Sequence, residues 1–153
     1  MVGTNSWDFT RLIKGLDDIA CDIDEEIIIQ IGDNDYKPKN AKYFRYIDKN
    51  EIESFYDRAR VIVAHAGIGI IISAFKHQTP IIVVPRMKDY GEHFDNHQVD
   101  TARSLEKEGI TVLWNINLLK PVLMGDVQLD LKSNKEKMIL QLKRYILSVE
   151  KNR

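Results

Sequence analysis

Residues 60–85 constrain the fold of this chain more than any other stretch of its sequence. An apolar run rich in β-branched side chains at residues 61–64 is typical of a strand covered on both faces. A glycine turn follows, then an apolar helix over about residues 67–77, then a second apolar strand over residues 80–85. This spacing predicts a βαβ unit with parallel strands. We expect the helix to be buried on nearly all sides, because it has almost no polar face.

The turn after the first strand reads His65-Ala66-Gly67-Ile68-Gly69. A turn at a helix N-terminus leaves backbone N–H groups without partners, and glycines let a ligand approach the backbone closely. These properties favour an anion, usually phosphate. The His65 imidazole would stand beside these amides and could donate a hydrogen bond to a phosphate or sugar oxygen. A purely structural tight turn is the alternative.

A nicotinamide dinucleotide is a poor fit to this turn. Gly67 and Gly69 begin a G-x-G-x-x-G pattern, but Ile72 stands where the third glycine belongs. No strand ending in an acidic residue follows at the spacing that ribose recognition needs. The sequence therefore predicts an anion site without a dinucleotide cofactor, and we expect no cofactor at all.

The rest of the chain alternates predicted helices and strands. Asp8 is expected to cap a helix that reaches about Cys21, and one face of this helix is apolar: Phe9, Leu12, Ile13, Leu16 and Ile19. We also predict strands over residues 26–31, 43–47 and 110–114, and helices over residues 48–58, 95–109 and 133–151. This alternation predicts an α/β fold, a Rossmann-like parallel sheet sandwiched by helices, in one domain over residues 1–153.

The N-terminus reads like the end of a strand and not like its beginning. Val2-Gly3-Thr4 has the character of a strand entering a turn, yet almost no strand precedes it. Two alternatives follow: the first strand is very short, or the N-terminus of the protein lies upstream.

Composition excludes several functional classes. A net charge of −1 gives none of the excess positive charge that is typical of proteins that bind nucleic acid. One cysteine, Cys21, excludes an internal disulfide and fits a reducing compartment; we expect it to be a buried small residue at a helix end. No apolar run approaches the roughly 20 residues of a membrane span, and no signal peptide is visible. These features predict a cytoplasmic protein.

A polar segment, residues 92–98, follows the second strand of the βαβ unit. Its sequence is Glu-His-Phe-Asp-Asn-His-Gln. His93 and His97 invite a metal-binding interpretation, but the segment straddles a loop and a helix start, so the two imidazoles need not share a face. We therefore predict no metal site. Asn96 and its two successors instead offer the side-chain donors and acceptors that suit a polyol.

These motifs together resemble the C-terminal, donor-binding half of GT-B glycosyltransferases of family 28. The resemblance rests on the turn at residues 65–69, on Pro80-Ile-Ile-Val-Val-Pro85 and on Asp95-Asn-His-Gln98, and it covers roughly the whole chain from Val2 onward. The chain is most similar to small stand-alone members. These are the cytosolic subunit of the dolichol-linked N-acetylglucosaminyltransferase and exopolysaccharide proteins of the PssE type.

The resemblance implies a nucleoside-diphosphate-sugar site, with UDP as the expected nucleotide. The turn would face the diphosphate, the N-terminal glycine turn would line the cleft, and the polar segment would contact the sugar. The implied donor-binding residues are Gly3, Thr4, Asn5, His65, Ala66, Gly67, Gly69, Ser73, Arg86, Glu92, Asn96, His97 and Gln98. The resemblance also implies a separate, membrane-associated subunit that binds the acceptor and recruits this chain to the membrane.

We therefore expect half of an inverting glycosyltransferase, with the general base on the partner; His65 and His93 are the local candidates for proton transfer. Two positions depart from the family. Ser73 stands where many members carry a ribose-binding Glu, and Ile70 where Thr or Ser is common. A non-catalytic stabilising or regulatory subunit is thus one alternative, and a sugar-nucleotide-modifying enzyme such as an epimerase is another. The C-terminal helix is expected to cap the core or to dock a partner.

Overall fold

The computed structural model of the chain describes residues 1–3 and 7–125. The predicted helix over residues 133–151 and the predicted site residues Thr4 and Asn5 lie outside these ranges. The helices are α1 (Thr10–Ile19), α2 (Lys49–Arg58), α3 (Ile68–Lys76), α4 (His97–Lys107) and α5 (Leu119–Met124), and the strands are β1 (Ile28–Gln30), β2 (Lys42–Phe44), β3 (Ile62–Ala64), β4 (Ile81–Val83) and β5 (Thr111–Val112). Within the described ranges, no helix combines the length and the apolar character that crossing a membrane requires.

The strands confirm the predicted α/β architecture. They form two parallel sheets, β1–β2 and β3–β4–β5, and Ile62 of β3 lies beside Ile81 of β4 as the βαβ prediction requires. The first residue of the chain extends the larger sheet beyond β3. The amide of His65 donates to the carbonyl oxygen of Met1 at 3.3 Å, and the Met1 amino group donates to the carbonyl of Val63.

Strand β4 is the centre of the core, because both of its faces are covered. Ile81 and Val83 belong to an apolar cluster with residues of α2, α3 and α4. Ile82 and the following residue, Val84, belong to a second cluster with residues of α1 and α5. All four side chains are essentially inaccessible to solvent. Their alternation between two clusters is the period of a strand that is buried on both sides.

Helices α1, α2 and α4 form where the sequence predicted them, but the predicted cap of α1 is wrong, because its N-cap residue is Phe9 and not Asp8. The predicted apolar face of α1 is buried throughout. The carboxylate of Asp48 accepts the amide hydrogen of Glu51 at 3.0 Å and so caps α2. Gly109 comes two residues after α4 and has a φ of +86°, a conformation that glycine adopts without strain.

The prediction that the helix after the glycine turn is buried on nearly all sides is wrong. Helix α3 packs against the sheet through Ile71, Ala74 and Phe75, whereas Ile72 is 44% exposed and Gly69 is open to solvent. A helix on the outer layer of an α/β fold presents one side to the sheet, so an apolar composition does not by itself bury the other side.

Two further predictions are wrong in detail. Cys21 is exposed instead of buried, because α1 ends at Ile19 and the chain turns outward beyond it. Strand β1 is shorter than the predicted residues 26–31, since pairing with β2 begins only at Ile28. The side chain of Glu26 instead pairs with Lys42 at the surface.

A cavity of about 450 Å³ lies between the amino-terminal ends of β1 and β3. Ile28, Phe55 and Val61 are among its lining residues, together with Met1, whose buried amino group has its pKa lowered by desolvation to about 5. None of the predicted donor-binding residues that the structure describes lines this space. Ligands of open α/β sheets bind at the carboxyl ends of the strands, which are on the opposite side.

A buried carboxylate ties α1 to the loop before β2. Asp17 is 1% exposed and accepts hydrogen bonds from the amides of Lys39, Asn40 and Ala41 and from the hydroxyl of Tyr36, at 2.7–3.0 Å. Burial alone would raise the pKa of Asp17, but these donors outweigh it and hold the pKa below its usual value.

We predict that Asp17→Asn lowers the free energy of unfolding by about 2–3 kcal/mol, because the amide loses charge-assisted hydrogen bonds and turns an NH₂ toward N–H donors. Urea denaturation measures this loss. Asp18→Asn, at the neighbouring exposed position, is the matched control and should change stability by less than about 0.5 kcal/mol. Because the pKa of Asp17 is lowered on folding, the stability difference between the wild type and Asp17→Asn should shrink as the pH falls below about 4. Equal losses in both variants would contradict the prediction.

Candidate functional site

Three segments meet at the carboxyl edge of the larger sheet. Gly3 follows the first residues of the chain, the turn at residues 65–69 follows β3, and residues 84–96 follow β4. The last of these segments includes a 3-10 turn, Lys88–Tyr90, and leads into α4. This edge is where the topology of a parallel α/β sheet places a ligand.

The imidazole of His65 is held between two glycines. A Cβ atom built on Gly3 would lie 2.6 Å from Cε1 of the ring, and one built on Gly67 would lie 2.2 Å from Nε2. Gly3 also has a φ of +77°. Neither position accepts a side chain while the ring keeps its place, so the glycines are required by the packing of His65.

The amino end of α3 is open. Its first turn has no acidic residue and its N-cap residue, Gly67, makes no side-chain capping hydrogen bond. Apart from its chain neighbours and the backbone of its own helix, no atom of the described residues lies within 4 Å of a Cβ built on Gly69, so the described part of the chain leaves the backbone accessible there. An uncapped helix N-terminus carries partial positive charge and free N–H donors, which is the arrangement that binds phosphate.

His65 is neutral at physiological pH. Desolvation is the main cause that lowers its pKa to about 3, and the nearby charges of Arg86 and of the amino terminus lower it further. Its buried Nδ1 has no hydrogen-bond partner among the described residues. A neutral imidazole keeps one N–H donor, but a pKa of about 3 makes a poor general base near pH 7.

Arg86 fastens the N-terminal segment to the loop after β4. Its side chain is buried, and the guanidinium donates to the carbonyl oxygens of Val2, Trp7, Asp8 and Glu92. The guanidinium also lies 4.7 Å from the centre of the Phe9 ring. Residues on both sides of the undescribed positions 4–6 are therefore fixed by one side chain.

Glu92 and Gln98 are buried and serve the same loop. The Glu92 carboxylate accepts two hydrogen bonds from Arg11, at 2.7 and 2.9 Å, and one from the amide of Met87 at 3.0 Å. The side-chain oxygen of Gln98 accepts the backbone N–H of Arg86 at 3.1 Å. The oxygens of both side chains are engaged inside the protein, where they position the loop.

Ser73 does not face the open helix end. Its hydroxyl is hydrogen-bonded to the buried phenol of Tyr56, whose pKa is raised to about 12 chiefly by desolvation. Asn96 is exposed, and its side-chain oxygen accepts the amide hydrogen of Lys88 at 3.2 Å. His97 is exposed in the first turn of α4.

The structure brings His93 and His97 together, which the sequence interpretation did not expect. Their ring centroids are 4.4 Å apart in an edge-to-face arrangement, and both Nδ1 atoms contact the Asp95 carboxylate. Burial and the neighbouring His97 lower the pKa of His93. The ring of His93 also packs against Trp7 and Phe94, which are partly exposed.

Sequence reasoning missed Arg11 and Phe94 as parts of this edge. Arg11 lies 81 positions before the carboxylate that it pairs with. No local spacing reports a contact over such a distance. Trp7 and Phe94 are marked only by being aromatic residues in polar loop sequence, which is a weak signal.

We predict that His65 stays neutral in the folded protein down to a pH of about 5 and titrates near 6.5 when the protein is unfolded in urea. NMR detection of the imidazole nitrogens measures both states. The unfolded state then binds a proton that the folded state does not, so stability must fall as the pH drops below about 6.5. The slope of the unfolding free energy against pH counts the protons taken up on unfolding, and His65→Gln should reduce this count by about one. A folded-state pKa above about 6 would contradict the buried, neutral ring.

Comparison with known proteins places these features in a family. Residues 1–144 match the glycosyltransferase family 28 C-terminal domain. A curated relative from Trichodesmium erythraeum (strain IMS101), a UDP-N-acetylglucosamine--N-acetylmuramyl-(pentapeptide) pyrophosphoryl-undecaprenol N-acetylglucosamine transferase, is 27% identical over 115 residues. The match covers 73% of this chain and 30% of the relative, so the chain spans about a third of that protein. No solved structure matches at a significant level. The chain belongs to the glycosyltransferase family 28 C-terminal domain family.

Proposed function

We propose that this chain binds the nucleotide-sugar donor of an inverting glycosyltransferase. The observation that carries the proposal is the open amino end of α3, where no side chain of the described residues lies within 4 Å of a Cβ built on Gly69. The diphosphate would accept hydrogen bonds from the backbone of the turn at residues 65–69, and the helix dipole would stabilise the charge that develops on the leaving nucleoside diphosphate. His65 would hold the turn in shape and offer one neutral N–H donor.

A UDP-sugar is the first donor to test. The relative from Trichodesmium erythraeum is named for UDP-N-acetylglucosamine, and the match to it covers most of this chain. Asn96 and His97, at the start of α4, supply the exposed polar groups proposed for the sugar, a hexose or an N-acetylhexosamine. Arg86 and Glu92 support this end of the site by fixing the loop.

The acceptor site is proposed to lie on another polypeptide. The resemblance to two-subunit members of the family supports this proposal, since GT-B enzymes place donor and acceptor on two Rossmann-like domains. We propose a membrane-associated partner that binds a lipid-linked acceptor for polysaccharide or glycan synthesis and recruits this chain from the cytoplasm. The low pKa of His65, about 3, makes this imidazole too weak a base to accept the proton of the acceptor hydroxyl. This supports the proposal that the general base lies on the partner.

Isothermal titration calorimetry with UDP-N-acetylglucosamine tests the donor site, and Gly69→Ala sharpens the test. The added methyl group enters empty space inside a helix, so folding stability should rise by up to about 1 kcal/mol. The same methyl group occupies the space proposed for the diphosphate, so the affinity should fall at least about tenfold.

Lys76→Ala is the matched control. It also introduces alanine into α3, about 10 Å further along the helix axis, and removes only an exposed ion pair with Glu53. It should leave UDP-sugar binding unchanged. No binding at about 1 mM UDP-sugar, with and without the partner, would overturn the donor-site proposal. Equal affinities for the wild type and Gly69→Ala would place the ligand elsewhere.

A non-catalytic stabilising subunit is the second candidate, and the position of Ser73 favours it. This side chain bonds to Tyr56 and replaces the acidic residue that the family uses for ribose. Asn96→Ala separates the two candidates in the complex with the partner. Loss of transferase activity with assembly intact supports the donor site, whereas unchanged activity supports a stabilising role.

A further inference from the structure

The loop that leads into α4 brings together three possible metal ligands. His93 is 5% exposed, whereas Asp95 is half-buried and His97 is exposed. One ligand atom from each lies within 4.8 Å of the other two. The cluster combines a rigid, buried imidazole with two side chains that open to solvent, so an ion could enter from one side. None of its geometry depends on the proposed transferase function.

Two of the three groups converge on one oxygen of the third. Nδ1 of His93 lies 3.1 Å from Oδ1 of Asp95, and Nδ1 of His97 contacts the same oxygen. The backbone N–H of Asp95 also points at Nδ1 of His93, over a long 3.4 Å. The Asp95 oxygen therefore lies between two imidazole nitrogens, and a shared cation would replace these imidazole–carboxylate contacts.

From this convergence we propose that His93, Asp95 and His97 bind a divalent zinc-class ion through two imidazole nitrogens and one carboxylate oxygen. Borderline ions such as Zn²⁺ prefer this donor set, and three protein ligands leave a position for water. In a tetrahedral site with bonds of about 2.0–2.2 Å, ligand atoms stand roughly 3.3–3.5 Å apart. The exposed His97 ring has the freedom to make this small adjustment.

A bound ion would fix the segment between β4 and α4. His93 packs against Trp7 in the N-terminal segment, and His97 is the first residue of α4. The next residue, Gln98, holds the backbone of Arg86. The ion would therefore join the loop after β4 to the start of α4. The N-terminal segment contacts the loop at the same place, through Trp7 and His93. Its expected effect is to order the loop, with one coordination position open to solvent.

The test uses the full chain without a histidine tag, stripped of metal by a chelator. Cobalt(II) is the spectroscopic probe, because its visible absorption reports tetrahedral nitrogen and oxygen ligands, and calorimetry with Zn²⁺ gives the stoichiometry. We expect one ion per chain with a Kd of about 10 μM or lower. Absence of stoichiometric binding, or a cobalt spectrum of the hydrated ion only, would overturn the proposal.

Two ligand variants and two controls locate the ion. His97→Gln and Asp95→Asn change side chains that reach the surface, and each should weaken Zn²⁺ binding at least about thirtyfold. His77→Gln removes an imidazole that pairs with Asp57 elsewhere, and Cys21→Ser removes the exposed thiol; both should bind as the wild type does. Unchanged binding in His97→Gln, or loss of binding in either control, would place the ion elsewhere and overturn the proposal. Circular dichroism verifies that every variant is folded.

Discussion

One buried guanidinium organises the carboxyl edge of the sheet. The guanidinium of Arg86 donates hydrogen bonds to carbonyl oxygens on both sides of the N-terminal turn and in the loop after β4. A buried cation has to be satisfied by oxygen acceptors, and here the acceptors are backbone groups far apart in sequence. Gly3 and the loop are held by this one side chain, and the start of α4 joins them because Gln98 accepts the backbone N–H of Arg86.

The site combines two kinds of order. The glycine turn is shaped by packing, because a Cβ on Gly3 or Gly67 would clash with the His65 imidazole. The polar loop is shaped by charge, because the carboxylate of Glu92 is paired with Arg11 in a largely buried setting. The helix end at Gly69 stays open, while the ion pair between Arg11 and Glu92 holds the loop after β4 in place. An anion can therefore reach the turn without disturbing the groups that hold the edge together.

Family membership and site geometry limit the function in different ways. The match to the family 28 C-terminal domain concerns a donor-binding module, and the chain spans about a third of its relative. The geometry adds that His65 is neutral and that the Ser73 hydroxyl bonds to Tyr56. Neither residue supplies a strong base or a ribose-binding carboxylate. This is the physical reason for assigning chemistry at the acceptor to a partner and for keeping a stabilising role as the alternative.

The sequence by itself determined the elements whose signals are local. The apolar period of α1 and the β-branched run of β4 both predicted their structures, because each signal spans only a few neighbouring residues. It also predicted the glycine turn at the head of α3. Only the tertiary structure decided which side of α3 is exposed, that Arg11 meets Glu92, and that His93 and His97 share one carboxylate. These contacts depend on how separate elements pack, and neither periodicity nor spacing along the chain carries that information.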